Sequence, residues 1–362
     1  MNKLLFVLGD STYPYRVGGM EIFNHYIIQH LKKTFKVSYL ARHTLPIIGI
    51  QKYKCYKLHP TKYLFPLQLF FCLLFHPQIK KVLISYSAAH AVVWRLYTLV
   101  CKILKRKYYV VIHYGDLPPE SDYKTYSEFF LNASAVVAVS NDIKRNYDKK
   151  FGIDCQVIFP LVPFNEATSS KKDLRVEYNI PSNANVVCMV GTLKGMKNPD
   201  TIIEALHSFS EEELKQYAPH IVYAGGGPSM ESLKTKVAAY GLSDYVTFLG
   251  NVPKEKVNQV YKLADIYLIA SDFEGTSVSL LEAMFNNMPI IASRVPGIVN
   301  TVLEEECLMF SVKDAIQLKD CLLKYIQHPE LAKNLSSKAF NHYMNEYNYE
   351  DVVKAYQSIL NS

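Results

Sequence analysis

The stretch NVVCMVGTLKGMKNPDTIIEAL (185–206) sets the reading of the whole chain. Its first six residues are a nearly continuous apolar run, which predicts a buried strand. Gly191 closes it, and Asn198 with Pro199 supplies an N-cap and a proline at the first position of a helix. The same rhythm returns in HIVYAGGG (220–227), YVTFLG (245–250), IYLIAS (266–271) and PIIAS (289–293), separated by helical sequence. Strands that are apolar throughout and alternate with helices predict a parallel sheet covered on both faces. This half of the chain reads as a doubly wound α/β domain.

Toward the N-terminus the pattern repeats: KLLFVLG (3–9), a helix from about Met20 to Lys33, KVSYLA (36–41), VLISYS (82–87), the helical AHAVVWRLYTLVCKIL (89–104), YYVVIHYG (108–115), AVVAVS (135–140) and CQVIFPLV (155–162). Pro160, Pro163 and the polar EATSSKKD (166–173) interrupt it. The expected organisation is one Rossmann-like domain over 1–165 and a second over 166–340, facing each other across a cleft. Residues 341–362 end in EDVVKAYQSIL, whose apolar positions 352, 353, 356, 359 and 360 have helical spacing; this segment is expected to pack back toward the N-terminal domain.

A chain of 362 residues is long enough for two domains with large cores, and 49% hydrophobic with 20% charged residues excludes a disordered or low-complexity chain. The 7 cysteines form no C-x-x-C pair and no His/Cys cluster at zinc spacing, which indicates neither a metal centre nor a disulfide framework and fits a reducing cytoplasm. The opening MNKLLFVLGD has too short an apolar run for a secretion signal.

Charge is divided unevenly. Residues 1–165 hold 22 Lys and Arg against 9 Asp and Glu, whereas the remainder holds 18 against 24. Between Glu21 and Asp116 there is no acidic residue, while 15 Lys and Arg fall there. Such a surface attracts nucleic acid, anionic lipid headgroups or a pyrophosphate-bearing substrate. No recognised nucleic-acid module accompanies it, so nucleic acid is not expected as a partner. The most apolar run, YLFPLQLFFCLLF (63–75), contains Pro66 and falls short of the roughly 20 residues needed to span a bilayer. Two readings stand: a buried helix, or an interfacial helix whose flanking Lys62, Lys80 and Lys81 meet anionic lipid.

Several residues can carry chemistry. In SDFEGTSVSLLEAMFNNMPIIAS (271–293), Glu274 and Glu282 lie eight apart, Gly275 allows a tight turn, and Thr276 or Ser277 can cap the helix that follows. A helix N-terminus binds phosphate through free amides, and a carboxylate further along can accept from ribose hydroxyls; acid early in a helix also simply offsets the dipole. Lys197 sits near a helix mouth, where a cation suggests an intervening anion, though a solvated lysine is the plainer reading. Gly225, Gly226 and Gly227 permit either close approach to a ligand or a sharp turn. In the first half, Gly18-Gly19 precedes a helix, and His113 ends a strand, where open α/β sheets bind ligands.

The order and spacing of these pieces resemble the glycosyltransferase family 4 signature. A strand ending G-x-L-x-x-x-K-N is followed by G-x-G-P before a helix, A-D-I-Y-L-I-A-S, E-x-x-x-x-x-x-x-E within EGTSVSLLEAM, and PIIAS with a P-G turn, over residues 186–300. The resemblance implies the GT-B fold, retaining transfer of sugar from a nucleotide-diphosphate donor, and a bacterial surface-polysaccharide role. By this likeness Glu282 binds the donor ribose, Glu274 contacts the donor sugar and Lys197 neutralises the diphosphate. Thr276, Ser277 and Gly275 form the loop whose amides meet the diphosphate, Gly191, Gly225 and Gly227 border the donor, Gly18 and Gly19 lie near phosphates and acceptor, and His113 sits beside the anomeric carbon. Lys and helix-end amides can stabilise a departing diphosphate without metal, and no D-x-D motif occurs, so neither metal nor cofactor is expected. Thr192 stands where the family has Arg, with Lys194 a candidate replacement; Gly226 stands where it has an acid.

The expected activity is hexosyl transfer from a UDP-sugar to a polyprenyl-diphosphate-linked or glycan acceptor, by a cytoplasmic enzyme touching an anionic membrane peripherally. A sugar-nucleotide epimerase or phosphorylase of similar architecture, or a non-catalytic relative, is the alternative. No G-x-G-x-x-G follows the first strand, which sets a dehydrogenase aside.

Overall fold

In the computed structural model, which describes residues 3–8, 19–41, 51–52, 65–86, 91–113, 115, 117–162 and 169–361, the backbone divides into two units: Met1–Leu161 with Tyr349–Ser362, and Val162–Asn348. Unit 1 runs β1 (Lys3–Leu8), α1 (Gly19–Leu31), β2 (Lys36–Ala41), β3 (Gln51–Lys52), α2 (Phe65–Phe75), β4 (Ile79–Tyr86), α3 (Ala91–Ile103), β5 (Lys107–Ile112), α4 (Tyr123–Leu131), β6 (Ala135–Ala138), α5 (Asn141–Phe151) and β7 (Gln156–Val157). Among the described residues its strands pair in parallel in the order β3-β2-β1-β4-β5-β6-β7. The expected strand over 155–162 shrinks to two residues at the sheet edge. Pro160 lacks an N–H and cannot extend the ladder.

Crossovers between parallel strands are right-handed, which puts α2, α3, α4 and α5, all stepping toward β7, on one face and α1 on the other. Accordingly α2 packs on α3, α3 on α4 and α4 on α5. The helix α2 is neither of its two sequence readings in pure form. Pro66, Leu69 and Leu73 face inward, while Leu67, Phe71, Leu74 and Phe75 are exposed.

Unit 2 runs α6 (Lys171–Glu177), β8 (Asn185–Val190), α7 (Pro199–His207), α8 (Glu211–Tyr217), β9 (Pro219–Ala224), α9 (Met230–Ala239), β10 (Val246–Gly250), α10 (Val257–Leu263), β11 (Ile266–Ile269), α11 (Val278–Phe285), β12 (Ile290–Ser293), α12 (Pro296–Val299), β13 (Leu308–Phe310), α13 (Ala315–Gln327) and α14 (Pro329–Glu346). Its parallel sheet has the order β10-β9-β8-β11-β12-β13. Both sheets are Rossmann-like: the unit's first strand is central, and the winding reverses beside it, between β1 and β4 and between β8 and β11. Open α/β sheets bind ligands at the carboxyl ends of strands at such a reversal. Each unit closes its own apolar core around its sheet.

The last helix, α15 (Tyr349–Asn361), belongs to unit 1. Val352, Tyr356, Ile359 and Leu360 enter that core, and the Tyr356 ring lies 5.8 Å from Phe23 of α1. Polar contacts fix its register: Gln357 Nε2 donates to Thr34 Oγ1 at 2.8 Å, and Lys81 Nζ donates to the Leu360 carbonyl.

Tyr356 is buried, and its hydroxyl has no hydrogen-bond partner among the described residues. Tyr356→Ala should therefore cost unit 1 about 3–5 kcal/mol, the usual penalty for emptying a buried aromatic site. Tyr356→Phe should leave stability unchanged or raise it by up to about 1–3 kcal/mol, since it removes an unpaired buried oxygen. Denaturant unfolding followed by the fluorescence of Trp94, the single tryptophan and a member of the unit 1 core, checks both.

Candidate functional site

In unit 2 the loops after β8 and β11 meet at the reversal of strand order. Asn198 occupies the N-cap position of α7 but does not cap it, contrary to the sequence expectation. Its backbone is left-handed, with φ 45°, a conformation asparagine tolerates better than most residues. That turn aims the side chain across the sheet instead: Nδ2 donates to the Ala270 carbonyl at 3.0 Å and to the Asp272 carboxylate. The Asp272 N–H donates back to the Met196 carbonyl at 2.9 Å. With the two loops joined, Lys197 and Glu274 form an ion pair, and Ser271 Oγ donates to the same Glu274 oxygen at 2.6 Å. The anion that a cation at a helix mouth calls for is thus present in the protein itself.

The Glu274 loop is also held from the far side. Ser293 Oγ donates to the Ser271 carbonyl at 2.7 Å, and Gly297 of the P-G turn lies so close that a Cβ there would collide with the carbonyls of Glu274 and Gly275. The Gly225-Gly226-Gly227 turn has a related purpose. A Cβ on Gly225 would strike the Gly191 carbonyl, and one on Gly227 the Leu193 carbonyl. Backbone hydrogen bonds from Leu193 N to Gly226 O (2.9 Å) and from Ser229 N to Leu193 O (3.0 Å) lock the contact. These glycines bring two loops of the protein together. Thr192 and Lys194 stay exposed beside them.

Glu282 lies in the second turn of α11 and is buried. One carboxylate oxygen pairs with Lys254; the other accepts from the Tyr261 hydroxyl at 2.7 Å. Burial pulls the Lys254 pKa down to about 8, and the neighbouring Glu255 carboxylate opposes that pull. Tyr261 also donates to the Ser279 carbonyl at 3.2 Å, and Tyr267 OH donates to Ser279 Oγ at 2.9 Å. Two tyrosines from α10 and β11 thereby brace the first turn of α11. Ser277 stands at its N-cap without a side-chain cap bond, its Oγ 3.2 Å from Ser279 Oγ, and Gly275 and Thr276 are half-buried just before it. A cavity of about 490 Å³ lies nearby, lined in part by Gly195, Asn198, Asp272 and Lys313; none of the expected donor-binding residues lines it.

In unit 1, His113 follows β5, and its Nε2 is 2.9 Å from Ser85 Oγ on the adjacent β4. The Phe23 ring meets the imidazole edge-on at 4.8 Å. Burial lowers the His113 pKa to about 3, so the ring is neutral at physiological pH. Gly19 is the first residue of α1, and Gly18 lies outside the described residues. Sequence reasoning passed over Lys254, Tyr261, Ser271, Gly297 and Ser85. One signal for Lys254 was available: it follows the end of β10 as Lys197 follows β8.

Gly297→Ala should destabilise unit 2 by about 1–3 kcal/mol, the cost of overpacking, read as a lower thermal midpoint. His113 predicts an acid sensitivity. Between about 6.5 and about 3 the unfolded chain holds a proton that the folded ring refuses, so stability falls as pH drops through that window. The slope of unfolding free energy against pH should be shallower in His113→Gln than in the parent, by Trp94 fluorescence.

Residues 170–342 match the family model described as glycosyl transferases group 1. TuaC of Bacillus subtilis (strain 168), named as a glycosyltransferase of teichuronic acid biosynthesis, is 26% identical over 220 residues, 59% of this chain and 53% of that protein. The chain spans about half the length of the curated relatives it matches. Among solved structures, a glycosyltransferase from Rickettsia africae superposes with a TM-score of 0.82 at 18% identity, over 99% of this chain and 97% of the other. HepE of Anabaena, crystallised with UDP and glucose, gives 0.78 at 16% identity over 100% of both chains. The fold is the GT-B fold of these solved glycosyltransferases, and residues 170–342 resemble the glycosyl transferases group 1 family.

Proposed function

We propose that the chain is a metal-independent retaining glycosyltransferase, which moves a hexosyl group from a UDP-linked donor to a lipid-linked or polysaccharide acceptor at the inner face of the plasma membrane. The observation that carries this reading is the Lys197–Glu274 pair at the carboxyl ends of β8 and β11, where the strand order reverses. A diphosphate entering there competes for the Lys197 ammonium. Glu274, released in part, is then free to accept from hydroxyls of the donor sugar. As the bond from the anomeric carbon to the diphosphate oxygen breaks, its electron pair stays on that oxygen. Lys197 and the amides around Gly275, Thr276 and Ser277 are fixed in advance to stabilise the charge.

Glu282 is assigned to the donor ribose. Each of its oxygens already accepts one bond from the protein, and a carboxylate offers about four acceptor positions, so capacity remains for a diol. His113, kept neutral by burial, is assigned to the reacting sugar, and the Gly18-Gly19 loop to phosphates and acceptor. UDP as carrier is favoured by HepE, crystallised with UDP and glucose, and a surface glycan by TuaC, named for teichuronic acid.

The direct test incubates the protein with UDP-sugars and polyprenyl-diphosphate glycans and measures free UDP together with extended glycan. An isomerised donor without UDP release would mark an epimerase and overturn the reading. Lys197→Gln should lower kcat by about 100-fold or more, as loss of a transition-state charge partner does. Glu282→Gln should weaken UDP binding by about 10–100-fold, the worth of a hydrogen bond to a charged group, measured by calorimetry. Unchanged affinity would remove the ribose assignment.

A further inference from the structure

The outer face of unit 1's helix layer combines two properties that the donor site does not use. On α2 the exposed side chains Leu67, Phe71, Leu74 and Phe75 recur at helical spacing, and Phe75 is 73% exposed. Phe71 and Phe75 stack with ring centroids 6.2 Å apart. On α3, whose inward face carries Trp94, Tyr97 and Val100, the outward face alternates apolar and basic: Val92, Arg95, Leu99, Lys102 and Ile103, the last 60% exposed. These helices lie side by side on the same face of the sheet, so their outward faces form one surface.

That surface runs into a basic edge. Each of the helices α2 and α3 ends where the next strand begins, at the amino-terminal edge of the parallel sheet. There Lys36 pairs in register with Lys3, and Lys81 with Lys107. Lys80, Lys102, Lys105 and Lys107 are exposed along the same edge. No Asp or Glu occurs between Glu21 and Asp116, and the nearest exposed acid in the neighbouring helix is Glu128 of α4.

We infer that the α2–α3 face and the lysine edge beside it dock unit 1 onto an anionic lipid bilayer. Phenylalanine and leucine enter the acyl boundary while the lysines remain at headgroup level. Nucleic acid would account for the lysines and leave the exposed phenylalanines unexplained. No helix among the described residues is long and apolar enough to cross a membrane, so the contact is interfacial. The inference stands apart from the donor chemistry, since vesicle binding is read without nucleotide or acceptor.

The test is flotation of the full chain with vesicles of equimolar phosphatidylglycerol and phosphatidylcholine, and with phosphatidylcholine alone. Binding to the anionic vesicles should exceed binding to the neutral ones by at least about 10-fold and should weaken with salt. Phe71→Ser with Phe75→Ser should lower it by at least about 10-fold, as expected when two aromatic rings no longer enter the acyl region. Lys102→Gln with Lys105→Gln should lower it by about 10-fold through lost headgroup attraction. In Phe75→Trp, fluorescence should be quenched by brominated acyl chains in anionic vesicles only, a readout that needs no disruptive variant. Equal binding to both vesicle types, unchanged binding of the phenylalanine variant, absent quenching, or a dimer abolished by the same substitutions while vesicles are ignored would each overturn the inference. Duplex DNA binding that the phenylalanine variant leaves intact, without vesicle binding, would overturn it in favour of nucleic acid.

Discussion

The left-handed turn at Asn198 is the constraint on which the unit 2 site depends. An asparagine in that conformation stores about 1–3 kcal/mol of backbone strain unless its surroundings repay it. Here they do, through two hydrogen bonds to the loop after β11. Lys197, the preceding residue, is thereby held where Glu274 stands, on a loop that Gly297 and Ser293 clamp from the other side. Every support comes from a strand end or a helix start. The pair is therefore set by the rigid part of the sheet, the arrangement a preorganised electrostatic site requires.

A different balance holds around Glu282. Removing a Lys–carboxylate pair from water is costly, and it is tolerated only where further hydrogen bonds satisfy both ions. Tyr261 supplies one of these, and the same tyrosine braces the backbone of α11 at Ser279. The two glutamates that sequence spacing pairs thus differ in kind. Glu274 shares one cation in a partly open loop, whereas Glu282 sits in a buried triad that occupies one acceptor position on each of its oxygens.

The alternation of apolar strands and helices made both sheets legible before any coordinates, because buried parallel strands must be apolar on both faces. Glu274, Glu282 and Lys197 were legible as strand-end and helix-start residues. Their partners were not: Lys254 and Tyr261 reach Glu282 from α10 and its preceding turn, a tertiary relation without a local period. The glycine turn at 225–227 was read as an approach to ligand or a simple bend, yet a neighbouring loop occupies the close space. The helix α2 was ambiguous because it is apolar all round, so no polar stripe announces which side faces out.

The placement of α15 carries a consequence for how this molecule is made. Its residues enter the core of a unit whose other elements all precede Val162 in the chain, and the entire second unit lies between them. A ribosome emitting the chain from its amino end therefore releases a first lobe with an uncovered groove along Phe23, the ring that Tyr356 later meets. That groove stays open for roughly ten seconds or more of translation, at about 5–20 residues per second. The first lobe therefore completes its core only after the whole second unit has been synthesised.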